Sequence, residues 1–240
     1  MTQNNKIWAV VPAAGIGSRM GAERPKQYLP LGGETVLEIT LQKLLALDRL
    51  EGIVVVLNKA DTYWQQTTLV NHPKVYTCFG GEARSDSVLN ALKFIQEYAG
   101  QASEAWVLVH DAARPCVTLE KITMLIDLVL AEKCGAILAS PVSDTLKRVN
   151  HSNVVAGTED RSRLWQAHTP QLFTLTKLKS ALEYCREKQL PVTDESSAIE
   201  TVGGRVRILA DRRDNIKVTL PEDLGWAEYI LKNQASTGDL

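Results

Sequence analysis

The sequence predicts a doubly wound α/β fold, in which helices cover both faces of a mostly parallel sheet and one β-arm protrudes. Short apolar, β-branched runs alternate along the chain with longer segments of helical periodicity. The runs are apolar throughout rather than at every second residue, which is typical of strands buried on both faces. We expect a single domain over residues 1–240, because this length and a hydrophobic content of 45% suit one large core.

Each element of the α/β pattern follows from its local sequence. The predicted strands are the apolar runs at residues 7–11, 53–57, 106–109, 136–139 and, late in the chain, 206–209. The predicted helices have apolar residues at three- and four-residue spacing, at residues 35–47, 85–98, 119–133 and 177–188. Ser85 to Ser87 are candidate N-caps of the second helix.

The alternation is interrupted at about residues 141–170, and this interruption predicts the arm. Two extended segments flank the turn sequence NHSN at residues 150–153. A two-stranded arm buries little surface on its own, so we expect it to pack against a second copy of the chain in a homodimer.

The closing helix has clear start signals after residue 218. Thr219 is the predicted cap, and Pro221 suits the first turn, where its missing N–H costs nothing. Glu222 and Asp223 complement the positive end of the helix dipole.

The composition excludes several classes of partner. The 27 lysines and arginines balance 28 aspartates and glutamates, so no basic field indicates nucleic acid. No run approaches the roughly 20 apolar residues of a membrane span, and the N-terminal apolar run is too short for a signal peptide. The four cysteines are widely spaced and contain no C-x-x-C motif, which favours a reducing compartment over disulfides or zinc. We therefore expect a cytoplasmic protein.

A glycine-rich loop, PAAGIGSRMGAERPK, directly follows the first predicted strand. Ligands bind at this edge of an α/β sheet, and small residues let backbone N–H groups approach phosphate oxygens. The dinucleotide fingerprint fails because Met20 stands at its third glycine, and the P-loop pattern is absent. What remains is a phosphate cradle flanked by Arg19 and Lys26, which can brace a triphosphate from two directions. The alternative is a surface turn with solvated charges.

Two further positions are candidates on chemical grounds. Asp111 follows a buried strand, where a carboxylate can bind a ribose hydroxyl or hold Mg²⁺, directly or through water, or can simply cap a turn. We expect the neighbouring His110 to be structural. Lys217 lies in an apolar-flanked segment, and because burying an unpaired lysine is costly, we expect an anionic partner for it.

Six further ordered motifs follow the loop motif and its RPKQYL continuation, and together they carry a family resemblance: GGEARSDSV, VHDAARP, PVSDTLKR, LWQAHTPQ, TDESSAIE and DNIKVTLPEDL. With them the chain resembles the bacterial 2-C-methyl-D-erythritol 4-phosphate cytidylyltransferases, Rossmann-like nucleotidyltransferases of the non-mevalonate isoprenoid pathway. The resemblance implies transfer of a cytidylyl group from CTP to the phosphorylated polyol, with release of pyrophosphate. It also implies Mg²⁺ held mainly by the CTP phosphates, with Asp111 a candidate ligand, and a homodimer formed through the arm.

The resemblance also assigns residue roles. The implied CTP-binding residues, among which Gly81, Glu82 and Ser87 read the cytosine, are Pro12, Ala13, Ala14, Gly15, Gly81, Glu82, Ser87, Asp111 and Ala112. Glu82 departs from the aspartate that the family often has there. The implied acceptor-binding residues are Arg114, Thr145, Thr169 and Thr193. The implied catalytic cations are Arg19, Lys26, Arg161 and Lys217.

Two other functions stay open at this point. One is a ribitol-5-phosphate cytidylyltransferase on the same scaffold, and the other is a catalytically inactive nucleotide-binding protein. We expect no fused cyclodiphosphate synthase, because 240 residues leave no room for a second domain.

Overall fold

A computed structural model describes residues 6–15, 24–100 and 105–238. Its strands are β1 (Ile7–Pro12), β2 (Pro30–Leu31), β3 (Glu34–Thr35), β4 (Leu50–Leu57), β5 (Val75–Phe79), β6 (Trp106–Val109), β7 (Ala136–Pro141), β8 (Lys147–Val149), β9 (Val155–Thr158), β10 (Trp165–Thr174) and β11 (Arg207–Ala210). Its α-helices are α1 (Val36–Leu45), α2 (Arg84–Tyr98), α3 (Leu119–Glu132), α4 (Leu175–Glu187), α5 (Glu195–Thr201) and α6 (Glu222–Thr237).

Seven strands form one mixed sheet in the order β11-β7-β10-β6-β1-β4-β5. The pairs β6/β1, β1/β4, β4/β5 and β11/β7 are parallel, and β10 runs antiparallel to both of its neighbours. The carboxyl ends of β1, β4, β5 and β6 therefore meet at one edge of the sheet. The segments that follow β1, β5 and β6 carry the predicted nucleotide-binding residues.

Helices bury apolar side chains against both faces of the sheet. On one face α1 and α3 pack through residues such as Leu41 and Ile126. On the other face α2, α4 and α5 pack through residues such as Leu92 and Leu178. Helix α6 forms a smaller cluster with the β2–β3 hairpin and the segment after β6. The helices within the described ranges all fall short of the length and apolarity required to cross a bilayer.

Two strands of the main sheet, and the short strands β2 and β3, were missed by the sequence prediction, and the hairpin region is shorter than the predicted arm. Strand β5 lies at the sheet edge and is only half buried, so its sequence lacks a continuous apolar run. Strand β10 contains buried polar residues, including His168 and Gln171, which hide its central position between β6 and β7. Because β10 begins at Trp165, residues 165–170 belong to the main sheet rather than to the arm.

The antiparallel hairpin β8–β9 lies where the arm was expected, and we keep the name arm for residues 142–164. Its role in forming a dimer stays a prediction. Its valines are largely solvent-exposed, with Val149 at 49%, Val154 at 59% and Val155 at 57%. Apolar side chains exposed together on a two-stranded hairpin favour contact with another surface.

Two predicted helix caps were wrong. Helix α2 begins at Arg84, one residue before the predicted start, and the Asp86 carboxylate accepts the N–H of Ala83 at 3.2 Å. Thr219 does not cap α6, because its hydroxyl donates to the Lys217 carbonyl. The Asp223 carboxylate instead accepts the N–H groups of Thr219 and Leu220, at 2.8 and 2.9 Å.

Candidate active site

A cleft lies at the edge of the sheet where β1, β5 and β6 end. It contains every residue predicted to bind CTP, together with Lys26 and Lys217. Its described lining residues are Pro12, Ala13, Ala14, Gly15, Lys26, Gln27, Gly81, Glu82, Ala83, Arg84, Ser87, Asp111, Ala112, Ala113 and Lys217. Sequence reasoning missed Gln27, Ala83, Arg84 and Ala113.

Side-chain amides fix the loop that follows β1. Gln27, in the 3₁₀ turn Lys26–Tyr28, donates to the carbonyls of Ala13 at 2.7 Å and Gly15 at 3.1 Å. Asn58 donates to the carbonyl of Ala14 at 3.2 Å. The carbonyl groups of the loop are thus held by the protein up to Gly15. Arg19 lies outside the described residues, so its catalytic role stays a prediction.

The turn between β5 and α2 is close-packed and needs glycine. A Cβ atom at Gly81 would lie 2.4 Å from the Cβ of Asp86, and one at Gly80 would lie 2.6 Å from the Cβ of Ala14. The buried hydroxyl of Ser87 accepts the N–H of Gly81 at 3.2 Å and donates to the carbonyl of Ala83 at 3.1 Å. Contacts within the chain therefore fix the backbone of the turn that is predicted to read the cytosine.

Asp111 is the electrostatic centre of the cleft. Its Oδ1 accepts from Nε and Nη2 of Arg84 at 3.1 and 2.9 Å, and its Oδ2 lies 2.7 Å from Nζ of Lys217. Nε of Arg114 lies 3.8 Å from the same Oδ2. Burial alone would raise the pKa of Asp111, but the three cations outweigh burial and hold it well below its usual range. The carboxylate is therefore ionised at neutral pH.

A buried chain of hydrogen bonds supports Asp111 from behind. The Asp111 N–H donates to the Thr169 hydroxyl at 3.0 Å, and that hydroxyl contacts Nδ1 of His110, also at 3.0 Å. Nε2 of His110 lies 3.1 Å from the carbonyl oxygen of Arg114. Burial lowers the pKa of His110 to about 4, so the ring is neutral and donates from Nε2. His110 has the structural role that we expected.

Arg84 also contacts a second carboxylate, on α5. Its Nη1 lies 2.7 Å from Oε1 of Glu195 and its Nη2 lies 3.2 Å from Oε2. Burial opposes the charged guanidinium, but Glu195 and Asp111 together raise the pKa of Arg84. In the sequence, the motif GGEARSDSV indicated only a helix cap and contacts with the cytosine. No local pattern reveals that Arg84 pairs with Asp111 and Glu195, because both carboxylates are distant from it along the chain.

The expectation for Lys217 was only partly right. Its side chain is 40% exposed rather than buried, and its anionic partner in the structure is Asp111. Lys26 lies beside it, because Nζ of Lys26 donates to the carbonyl of Val218 at 3.0 Å. Asn215 anchors this segment by donating to the carbonyl of Thr169 at 2.9 Å. The structure describes three of the four predicted catalytic cations, and it brings Lys26 and Lys217 together, because Lys26 bonds the backbone of the residue that follows Lys217.

Comparison with known proteins identifies the family of this chain. A model of the 2-C-methyl-D-erythritol 4-phosphate cytidylyltransferase family matches residues 7–233. The chain belongs to this cytidylyltransferase family. Relatives of that name from Aliivibrio fischeri strain MJ11 and Vibrio cholerae serotype O1 are 50% and 49% identical, covering 97% and 95% of this chain and 96% and 97% of their own. Family membership supports neither of the two alternatives that the sequence left open.

Solved structures of the cytidylyltransferase family have the same fold. A structure titled 4-diphosphocytidyl-2C-methyl-D-erythritol synthase is 36% identical with a TM-score of 0.82, and the match covers 95% of this chain and 99% of that one. The Francisella tularensis cytidylyltransferase gives the same identity and TM-score over 94% of this chain and all of its own. The predicted doubly wound fold is therefore confirmed.

The predicted acceptor-binding residues of the cytidylyltransferase are not all brought together within one chain. Arg114 and Thr169 lie beneath the cleft, where both are buried and support Asp111. Thr193 is exposed just before α5, and its N–H donates to the Ser197 hydroxyl at 3.1 Å. Thr145 and Arg161 are exposed on the arm, where Arg161 donates to the Ser143 carbonyl. None of these five lines the cleft described above.

The cleft offers two carboxylates that could bind a metal, and Mg²⁺ held by the CTP phosphates stays a prediction. Among the described residues, no group of three or more metal-ligating side chains is arranged around a common point. Glu82 and Asp111 are the carboxylates that line the described cleft, and both oxygens of Asp111 already face cations. Mg²⁺ commonly keeps one or two protein carboxylates alongside phosphate oxygens. Asp111 fits as one such ligand, in competition with Lys217.

Proposed function

We propose that this protein transfers the cytidylyl group of CTP to 2-C-methyl-D-erythritol 4-phosphate and releases pyrophosphate, as the names of its relatives state for them. The observation that carries the proposal is the convergence of all nine predicted CTP-binding residues, with Lys26 and Lys217, on one cleft. The product would be a diphosphocytidyl polyol of the isoprenoid pathway.

The reaction needs positioning and charge neutralisation rather than a general base. An oxygen of the acceptor phosphate attacks the α-phosphorus of CTP, and the bond from that phosphorus to the bridging oxygen of the leaving pyrophosphate breaks opposite. A phosphate monoester has a second pKa of about 6, so the attacking oxygen is already ionised at neutral pH. His110, the histidine nearest to Asp111 in sequence, is buried and neutral, in keeping with this chemistry.

Fixed cations would stabilise the charge that builds up on the transferred group. Arg19 and Lys26 would contact the α-phosphate and the departing pyrophosphate, and Lys217 and Arg161 would hold the incoming phosphate. Lys217 can do so by sharing its ammonium group, since it has three donors and Asp111 faces other cations as well. Bound Mg²⁺ would add positive charge at the triphosphate, with Asp111 the candidate protein ligand.

The arm would complete the site of a second copy of the chain. Thr145 and Arg161 lie on the arm and outside the described cleft of their own chain, yet both match family positions for the acceptor. The exposed Val149, Val154 and Val155 would be covered in such a homodimer. Arg161 would then neutralise the acceptor phosphate from across the interface.

Pyrophosphate release tests the proposal directly. Purified protein with Mg²⁺ is offered CTP or UTP, each with 2-C-methyl-D-erythritol 4-phosphate or with ribitol 5-phosphate. Release only with CTP and the first acceptor is expected. Release only with ribitol 5-phosphate would overturn the acceptor assignment, while silence from folded protein that still binds CTP would favour an inactive nucleotide-binding protein.

A further inference from the structure

Arg84 joins two parts of the cleft that the chain supplies from distant segments. Asp111 belongs to the predicted nucleotide site, and Glu195 belongs to the acceptor segment, by which we mean residues 193–197. We propose that Arg84 is a positioning residue that fixes the acceptor segment against the nucleotide site. The inference rests on the proposed function, and nothing in the family resemblance assigned a role to Arg84.

The geometry uses most of the donors of the guanidinium group. Nε and Nη2 of Arg84 both donate to Oδ1 of Asp111, while Nη1 and Nη2 reach the two oxygens of Glu195 at 2.7 and 3.2 Å. A planar fork with five N–H donors can bridge two carboxylates in this way, whereas the point charge of a lysine cannot keep both contacts.

Glu195 depends on this bridge. Its side chain is 1% exposed, and Arg84 is its one ion-pair partner among the described residues. A buried carboxylate requires a paired cation or hydrogen-bond donors. The position of Glu195, and with it that of Thr193 two residues earlier, is therefore tied to Asp111 through one side chain.

The acceptor segment also has anchors that do not involve Arg84. Asp194 caps α5 by accepting the N–H of Ser197 at 2.9 Å, and it accepts from Nε2 of Gln171 at 2.8 Å. The Ser196 N–H donates to Oε1 of Gln171 at 2.9 Å. Because these bonds tie the segment to β10, weakening the bridge should change its alignment with the nucleotide site without unfolding it.

Arg84 also orients Asp111 toward Lys217. Its two donors occupy Oδ1, which leaves Oδ2 facing Nζ of Lys217 at 2.7 Å. Arg84 thus fixes the position of the acceptor segment relative to Lys217, the cation proposed to hold the acceptor phosphate.

The test compares Glu195→Gln and Arg84→Lys with Glu132→Gln as the matched control. Glu132 pairs with Arg207 at 3.0 Å on the opposite sheet margin, so its variant loses an ion pair outside the cleft. For Glu195→Gln we expect the KM of the acceptor to rise by about tenfold or more, since small misplacements of a reacting group are costly. The affinity for a non-hydrolysable CTP analogue, measured by calorimetry, should stay within about twofold of wild type. Arg84→Lys should raise the acceptor KM as well, and Glu132→Gln should change neither quantity.

Three results would overturn the inference, and they point to different faults. An unchanged acceptor KM in Glu195→Gln, with an active wild type, refutes the positioning role alone. If Glu195→Gln loses thermal stability and CTP affinity in parallel with the rise in acceptor KM, the role of the bridge is structural only. A wild-type protein that binds the CTP analogue but neither binds nor uses the acceptor refutes the proposed function together with this inference.

Discussion

Replacing Gly81 with alanine should damage nucleotide recognition through a steric effect that the structure quantifies. The new Cβ would lie 2.4 Å from the Cβ of Asp86, where ordinary contact begins at 3.4 Å, so the turn must move by about 1 Å. A displacement of that size at a reacting site costs about 10²-fold in rate, and we expect kcat/KM for CTP to fall by that order. Loss of the Asp86 cap on Ala83 would also lower the free energy of unfolding by about 1 kcal/mol.

Gly225→Ala is the matched control. Gly225 lies on an exposed part of α6, and a Cβ there meets no atom within 4 Å. This variant should gain about 0.5–1 kcal/mol in the free energy of unfolding, because alanine favours helix, and should keep wild-type kinetics. Steady-state kinetics with varied CTP and urea unfolding measure both effects. A Gly81→Ala protein with wild-type kcat/KM would refute the claim that the close-packed turn is needed to read the nucleotide.

Three other predictions concern the cations, the arm and the buried histidine. Lys26→Ala should lower kcat by about 10²-fold, while Lys188→Ala, which removes an exposed charge elsewhere, should not; equal rates in a pyrophosphate-release assay would exclude Lys26 from catalysis. Arg161→Ala and Lys217→Ala should each be inactive, but an equal mixture that exchanges subunits should recover about a quarter of wild-type activity if the arm acts across a dimer. No recovery, despite exchange seen by sedimentation of labelled chains, would assign Arg161 to its own chain. Burial lowers the pKa of His110 to about 4 in the folded state, against about 6.5 in the unfolded chain. The unfolded chain therefore binds a proton first as the pH falls, and the stability that neutral His110 contributes above a pH of about 6.5 is lost by about pH 4. Urea unfolding should therefore show a decline of up to about 3 kcal/mol over that range, and a His110→Asn variant with the same slope would contradict this account.

The family resemblance named the residues of the cleft, and the strand pattern gives a physical reason why the loops after β1 and β6 belong together. Parallel strands bring their carboxyl ends to one edge, so the residues after β1, β5 and β6 meet even though they are far apart along the chain. Continuous apolar runs made β1 and β6 recognisable. The same rule could not find β10, because its buried polar residues are stabilised by long-range hydrogen bonds such as that between Thr169 and Asp111.

Arg84 and Lys217 illustrate the limit of reading residues locally. In the sequence Arg84 is an ordinary residue at a helix start. Its role depends on two carboxylates, Asp111 and Glu195, that are distant along the chain. Lys217 was correctly expected to have an anionic partner, but its exposure and the identity of Asp111 as that partner required the fold. Charge pairing between distant segments has no periodicity in sequence, so it becomes visible only when the chain is folded.

The arm joins the rest of the chain in a way that would let it be removed without disturbing the sheet. Pro141 and Trp165 face each other across β7 and β10, and the N–H of Val142 donates to the carbonyl of Leu164 at 3.1 Å. The arm therefore leaves and re-enters the sheet at a single pair of neighbouring positions, as a long loop does at the end of a hairpin. Because closing a loop costs little more as the loop grows, such an excursion can lengthen, shorten or change its sequence while the sheet beneath it stays intact. A tight turn joining Pro141 to Trp165 would convert β7 and β10 into a plain hairpin, and the shortened chain should keep the nucleotide cleft. If the proposed role of the arm is right, that chain would also be a monomer and would lack Thr145 and Arg161 at the acceptor site.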